Sequence, residues 1–310
     1  MITTVTLNTS VDKLYVMENV RLGQVMRVSH VSATPGGKGL NVARVAAQQG
    51  AQVRALGFAA GFNGAYIAKK LQELGIPEDF VWYEGESRIC INIRDKSTGV
   101  HTELLEPGMS VPEEKTGEFL KKYSEALKTS DVITISGSMP VGVPKDFYGR
   151  LIDLANSAKV PVILDASGDA FAAAVHCRPS IIKPNQDELS AYFKTRIETE
   201  EDLISAAEKF HELGIDTVVV SLGADGVFVS QMDAVYRARP PRIDTVNTVG
   251  CGDSMVASLA IGVEKRWTME ETIRFAVAVS AASAMDERAG FSDPVLTANL
   301  LPQVELRKLK

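Results

Sequence analysis

Little in this chain of 310 residues suggests a resident metal centre or a disulfide framework. The three cysteines, Cys90, Cys177 and Cys251, are odd in number and lack ligand spacing, and the four histidines, His30, His101, His176 and His211, are scattered. No apolar run reaches membrane-spanning length, and the N-terminal Met1-Ile2-Thr3-Thr4-Val5-Thr6-Leu7 reads as a strand, not as a charged leader followed by an apolar core. A soluble, cytoplasmic protein is therefore expected. There is no basic excess either. A formal charge of −6 exerts no general pull on nucleic acid or anionic lipid, so neither is expected as a partner, and an anionic substrate would need locally clustered Lys and Arg. The P-loop pattern G-x-x-x-x-G-K-[ST] is missing, as is a dinucleotide-binding fingerprint after the first strand, which disfavours an NAD-dependent oxidoreductase. With no linker, internal repeat or low-complexity tract, residues 1–310 read as a single domain.

Hydrophobic residues make up 45% of the chain, enough to fill a large α/β core. From about residue 110 helices alternate with short continuous apolar runs, Val132–Ile135, Val160–Leu164, Ser180–Ile182 and Thr217–Val220. Such runs suit parallel strands buried on both faces by helical crossovers. An antiparallel addition, Gly226–Ser230 with Ala234–Ala238, should follow. Two stretches interrupt the alternation. Lys13–Val16 and Val25–Val31, and the hairpin Arg88–Arg94 with Thr102–Glu106, are expected to form a small separate sheet drawn from about 11–34 and 88–106. Ile67, Leu71 and Leu74 mark one apolar helix face, closed by Gly75 and Pro77.

The chain is organised around Asn247-Thr248-Val249-Gly250-Cys251-Gly252-Asp253-Ser254, which opens a long apolar-periodic helix. Small residues there let backbone N–H groups of a helix start face an anion. A carboxylate at that mouth repels the anion and so suits a base that holds and deprotonates an attacking hydroxyl; a glycine turn with an acidic first-turn residue is the simpler alternative. A second glycine loop, Pro35-Gly36-Gly37-Lys38-Gly39-Leu40-Asn41, brings backbone close to a polar ligand, with Asn41 able to bond a hydroxyl. In open parallel sheets ligands bind beyond the carboxyl ends of the strands. Polar residues stand there after four runs: Ser136-Gly137-Ser138, Asp165, Lys183-Pro184-Asn185, and Ser221-Leu222-Gly223-Ala224-Asp225-Gly226. Asn185 and Glu188, three apart at a helix start, share a face and offer hard oxygens suited to Mg²⁺, or else simply cap that helix.

Taken together, Gly36–Asn41, Val249–Asp253, Lys183-Pro184-Asn185-x-x-Glu188 and Ser136-Gly137-Ser138-Met139-Pro140 resemble the ribokinase-like (PfkB) sugar kinases, over nearly the whole chain. Gly36-Gly37-Lys38-Gly39, Glu86-Ser87-Arg88 and the Ser136-Gly137-Ser138 turn are most similar to the phosphosugar branch, the 1-phosphofructokinases and tagatose-6-phosphate kinases. The resemblance implies an α/β fold with a mainly parallel central sheet flanked by helices, and a small β-sheet lid that pairs with another subunit's lid. It implies ATP and Mg²⁺, with Asp253 as catalytic base and the N–H groups of Gly250, Cys251 and Gly252 as anion hole. Asp12, Gly36, Gly37 and Asn41 would hold the sugar, and Lys38, Arg88 and Ser138 the phosphate already on it. Lys183, Asn185, Ser221, Gly223 and Gly226 would serve ATP, Asn185 and Glu188 its metal, and Ser280 and Ala281 the adenine. The implied reaction is phosphorylation of fructose 1-phosphate at C6, with tagatose 6-phosphate as the alternative acceptor and a non-catalytic sugar-phosphate sensor as the rival of another class. Two departures stand out. Asn247 replaces an aspartate associated with a monovalent cation, putting potassium activation in doubt, and the thiol of Cys251 suggests sensitivity to oxidation.

Overall fold

The computed structural model describes residues 1–108 and 110–310. In chain order the strands are β1 Ile2–Thr6, β2 Ser10–Met17, β3 His30–Gly36, β4 Val53–Ala60, β5 Val81–Tyr83, β6 Arg88–Asp95, β7 His101–Leu105, β8 Val132–Ser136, β9 Val162–Asp165, β10 Ile181–Ile182, β11 Thr217–Ser221, β12 Val227–Gln231, β13 Val235–Arg239 and β14 Glu305–Lys308. The helices are α1 Lys38–Gln48, α2 Gly61–Glu73, α3 Glu113–Leu127, α4 Phe147–Ser157, α5 Gly168–Ala174, α6 Gln186–Phe193, α7 Glu200–Glu212, α8 Cys251–Lys265, α9 Met269–Ala284 and α10 Pro294–Leu300. None of the described helices is long and apolar enough to cross a membrane.

Ten strands form one sheet in the order β14-β13-β12-β11-β10-β9-β8-β1-β4-β5. It is parallel from β11 to β5, and antiparallel from β11 to β14. Successive side chains on a strand point to opposite faces. On one face Ile2, Val132, Ile163, Ile181 and Val219 pack beneath α1, α8 and α9. On the other, Val5, Ile133, Leu164, Ile182 and Val218 pack against α3, α4 and α7. Each parallel strand is thus buried on both sides, which is why its run of Val, Ile and Leu is unbroken.

Four strands make the second sheet, in the order β3-β2-β6-β7. The hairpin and the first strand fall where the sequence placed them, but the segment Val25–Val31 does not. Strand pairing starts only at His30, and Val25 is 97% exposed. The cause is Asp95, whose carboxylate accepts the N–H groups of Asn19 and Val20 at 3.0 Å each and turns the chain out of the sheet. Leu74, expected on the buried face of α2, is the C-cap residue and is 49% exposed. Gly75 follows with φ 71°, the left-handed ending anticipated there. The short edge strands β5 and β14 gave no sequence signal of their own.

Candidate active site

The same alternation that buries the core builds the site. On the face covered by α1 and α8, four residues beyond Ile2 and Val132 and two beyond Ile163, Ile181 and Val219, stand Thr6, Ser136, Asp165, Lys183 and Ser221. Ser136 pairs directly with Asp165 in the β8–β9 ladder, and the Lys183 N–H bonds the carbonyl of Leu164 at 3.0 Å. All five line a cavity of about 580 Å³. The helices covering this face begin beside it, α1 at Lys38 after Gly37, and α8 at Cys251 after Gly250. Gly250 adopts φ 88°, and a Cβ there would come within 2.7 Å of the Gly290 nitrogen, so the turn into α8 requires glycine.

At the floor, Lys38 Nζ and Lys183 Nζ lie 3.3 and 3.4 Å from the same oxygen of Asp165. Asp165 is 1% exposed, and its other carboxylate oxygen has no partner among the described residues. Attraction to Asp165, then to Asp253 and Glu188, raises the pKa of Lys38 despite the cost of burial, so the ammonium is firmly charged. Asp165 was recognised only as one polar residue on the strand rim; that it holds two lysines could not be read from spacing.

Asp253, in the first turn of α8, is 5% exposed and accepts a hydrogen bond from Asn41 Nδ2 at 2.8 Å. Burial pushes its carboxyl up to about 6; Lys38, the Asn41 bond and Lys183 oppose this, while Asp165 reinforces it. A helix N-terminus favours an ionised carboxylate in its first turn, and desolvation outweighs that dipole here. Asn41 was expected to hold a substrate hydroxyl. Its amide oxygen instead accepts from Arg44, and one of its two N–H bonds goes to Asp253.

The roof is one face of the small sheet, where Ser10 pairs with Arg88, Asp12 with Cys90 and Leu14 with Asn92 across β2 and β6, all six lining the cavity. Asp12 accepts from Ser10 Oγ at 2.6 Å, and burial raises its pKa, against Ser10, Arg44 and Arg88. A Cβ at Gly36 would lie 2.0 Å from that carboxyl, so the glycine makes room for Asp12 without itself lining the cavity. Asn8, absent from the sequence-derived site, joins two expected residues: its Nδ2 donates to Ser138 Oγ at 3.2 Å, and its carbonyl accepts from Arg88 Nε at 3.3 Å. Arg88 also donates to the Glu106 carbonyl at 3.0 Å. Lys38, expected with Arg88 and Ser138, has its ammonium drawn to Asp165 instead.

Asn185 caps α6 by accepting the Glu188 N–H at 2.7 Å, while Glu188 accepts the Asn185 N–H at 2.9 Å. The cap reading is therefore realised, and it leaves the second Glu188 oxygen available in the cavity. Among the described residues no three His, Cys, Asp or Glu gather as a resident metal cluster. Glu188 and the orphaned oxygen of Asp165 are two hard donors lining the cavity, a pair that fits an ion taking its remaining ligands from phosphates and water. Ser221 reaches the cavity, whereas Gly223 and Gly226 form the turn behind it. Cys251, Ser280 and Ala281 do not line the cavity either; the Ser280 hydroxyl bonds the Cys251 carbonyl at 3.2 Å. The Cys251 N–H turns back to Thr248 O at 3.3 Å. Burial, with the Asp253 charge, raises its thiol to about 11, so the expected oxidation sensitivity has no basis in thiolate character. Asn247 Nδ2 donates to the Glu287 carbonyl at 3.0 Å.

The sequence profile of the pfkB family carbohydrate kinases matches residues 5–296. The 1-phosphofructokinase of Bacillus subtilis (strain 168) is 35% identical over 309 residues, covering 100% of each chain. Among solved structures, a "possible 1-phosphofructokinase" from Thermotoga maritima superposes with a TM-score of 0.91 at 27% identity, covering 100% of this chain and 99% of that one. Phosphofructokinase-2 of Escherichia coli, in complex with fructose-6-phosphate, gives a TM-score of 0.89 at 26% identity, with 97% and 98% covered. The chain belongs to the pfkB family of carbohydrate kinases, phosphotransferases that use an alcohol group as acceptor.

Proposed function

We propose that this enzyme transfers the γ-phosphoryl group of ATP to the free primary hydroxyl of a ketohexose monophosphate, with fructose 1-phosphate, phosphorylated at C6, as the natural acceptor. The observation that carries the reaction class is the buried Asp253 carboxylate at the start of α8, flanked by Lys38 and Lys183 in one cavity. The full-length 35% identity to a 1-phosphofructokinase carries the choice of sugar. Arg88, Asn8 and Ser138 form a cluster of donors suited to a phosphate already on the substrate, and Asp12 under Gly36 is placed for sugar hydroxyls.

Asp253 receives the hydroxyl proton as the phosphoryl group leaves ADP. Because phosphoryl transfer is largely dissociative, the proton is needed late, and a carboxyl near 6 is ionised at neutral pH yet basic enough to accept it. Lys38 and Lys183, together with the N–H groups of Gly250 and Gly252, face the group in flight, whereas the Cys251 N–H is spent on the Thr248 carbonyl. Lys38 is reassigned here from the sugar phosphate because Asp165 holds it. Mg²⁺, when bound, neutralises nucleotide phosphate charge, and Glu188 with Asp165 would hold it. The outer face of the small sheet presents Val31 and Leu104, 54% and 53% exposed, beside Ile91 and Ile93. We assign this face to a homodimer contact of a cytoplasmic enzyme. Related phosphofructokinase-2 of Escherichia coli has a tetrameric inhibited form. Arg27 is exposed and does not line the cavity, so any part it plays falls to the dimer.

The test is kcat/KM with ATP for fructose 1-phosphate, tagatose 6-phosphate and fructose 6-phosphate. Preference for the first supports the proposal; a clear preference for either of the others overturns the choice of sugar and leaves the kinase reading standing.

A further inference from the structure

Arg44 was not part of any motif, yet it stands directly behind the reacting groups. It lies on α1 one turn after Asn41 and is 5% exposed. Its Nη2 donates to Asn41 Oδ1 and, at 2.9 Å, to the carbonyl of Ala289, while its Nε has no partner among the described residues. A guanidinium can only donate. The Asn41 amide must therefore turn its oxygen to Arg44, which leaves its NH₂ to face Asp253, where the bond measures 2.8 Å. The orientation of that amide is thus dictated by chemistry.

Burying a cation is costly, and burial lowers the Arg44 pKa to about 10. The charges around it are the Asp12 and Asp253 carboxylates, which favour it, and Arg288, which opposes it. Both of its recorded bonds nevertheless go to neutral oxygens. A direct ion pair would occupy the lone pairs of Asp253 and weaken it as a base. With Asn41 interposed, the cation steadies Asp253 through a neutral amide and leaves its second oxygen for a hydroxyl. The same Nη2 holds the backbone next to Gly290, and a Cβ on Gly250 would strike the Gly290 nitrogen at 2.7 Å. One side chain therefore touches both supports of the α8 N-terminus.

We propose that Arg44 is a positioning residue for phosphoryl transfer, locking the Asn41 amide so that it aims Asp253. The proposal rests on Asp253 as the base. It is tested with Arg44→Gln and Arg44→Lys, each alone and in the Asp253→Asn background, measuring kcat and both KM values. Arg44→Gln should lower kcat by about 10- to 100-fold with both KM values within about threefold, and Arg44→Lys should recover part of the loss. In the Asp253→Asn background the Gln substitution should add less than about twofold, because a residue acting through Asp253 has nothing left to position. Full kcat in either variant, or an equal loss in both backgrounds, overturns the proposal. Should Arg44→Gln not fold, Arg44→Lys, which keeps charge and bulk, is read against the same criteria. Asp253→Asn retaining wild-type kcat on its own would instead overturn the base assignment, so the two failures are distinct.

Discussion

Replacing Asp253 by Asn should weaken the enzyme and strengthen the protein. Asp253 is 5% exposed and its carboxyl is held at about 6 against an ordinary value of 3.8, so the folded state keeps its proton more tightly than the unfolded chain does. Below pH 3.8 both states carry the proton and the residue costs nothing through ionisation. As pH rises toward 6 the unfolded chain ionises first, and above 6 the full cost is felt. At about 1.4 kcal/mol per pH unit the cost at neutral pH comes to roughly 2–4 kcal/mol. The asparagine cannot ionise, and its amide oxygen can still accept the Asn41 N–H seen at 2.8 Å. Urea unfolding at pH 7.5 should therefore show the variant more stable by roughly 2–4 kcal/mol, with the gap narrowing at pH 5. Over the same range kcat should fall by about 10²–10⁴, as for loss of a positioned base. A variant no more stable at pH 7.5 would refute the desolvation argument, and one with kcat within a few-fold of the parent would remove Asp253 from the chemistry.

Arg88→Ala should raise KM for the phosphorylated sugar by about 10- to 100-fold with little change in KM for ATP, because a guanidinium grips a phosphate with paired charged bonds; a shift confined to ATP would place Arg88 on the wrong side of the cavity. Glu188→Gln should raise the Mg²⁺ concentration needed for half-maximal rate by about tenfold, since a hard anionic ligand is lost while the cap of α6 can persist; an unchanged Mg²⁺ titration would leave Glu188 as a cap alone. Cys251, with its thiol at about 11, should resist a thiol-specific reagent at pH 8 in the native enzyme, and Cys251→Ala should keep kcat within a few-fold. Rapid labelling of Cys251 that abolishes activity would contradict this. The pH profile of kcat/KM should lose activity on its acid side near pH 6, as Asp253 takes up a proton among Lys38, Lys183, Asp165 and Asn41. A profile flat down to pH 4.5 would be incompatible with that titration.

The parts of the site legible in the sequence were those tied to one strand or one helix start. Ser136, Asp165, Lys183 and Ser221 could be found because continuous apolar runs end where polar residues begin, and alternation then sends all four to one face. Gly37 and Gly250 could be found because both precede helices with apolar stripes. What escaped depends on pairs far apart in the chain. Asn8 matters through Ser138 and Arg88, 130 and 80 residues away, and Arg44 matters through Ala289, 245 residues away. Lys38 was assigned by its neighbours in sequence, but the charge of Asp165, 127 residues on, decides where its ammonium rests. Desolvation of Asp253 is likewise a property of the closed cavity. The misplaced strand at Val25–Val31 has the same origin, since β-branched composition does not reveal that Asp95 turns the backbone away.

The central claim is tested most directly by incubating the protein with ATP, Mg²⁺ and fructose 1-phosphate and following the phosphorus nuclei by NMR. Fructose 1,6-bisphosphate and ADP should appear in equal amounts, and product should be nearly absent with Asp253→Asn over the same interval. Binding of both ligands without any bisphosphate, from fructose 1-phosphate or from the 6-phosphates of tagatose and fructose, would contradict the assignment and point to a sensor on a kinase scaffold.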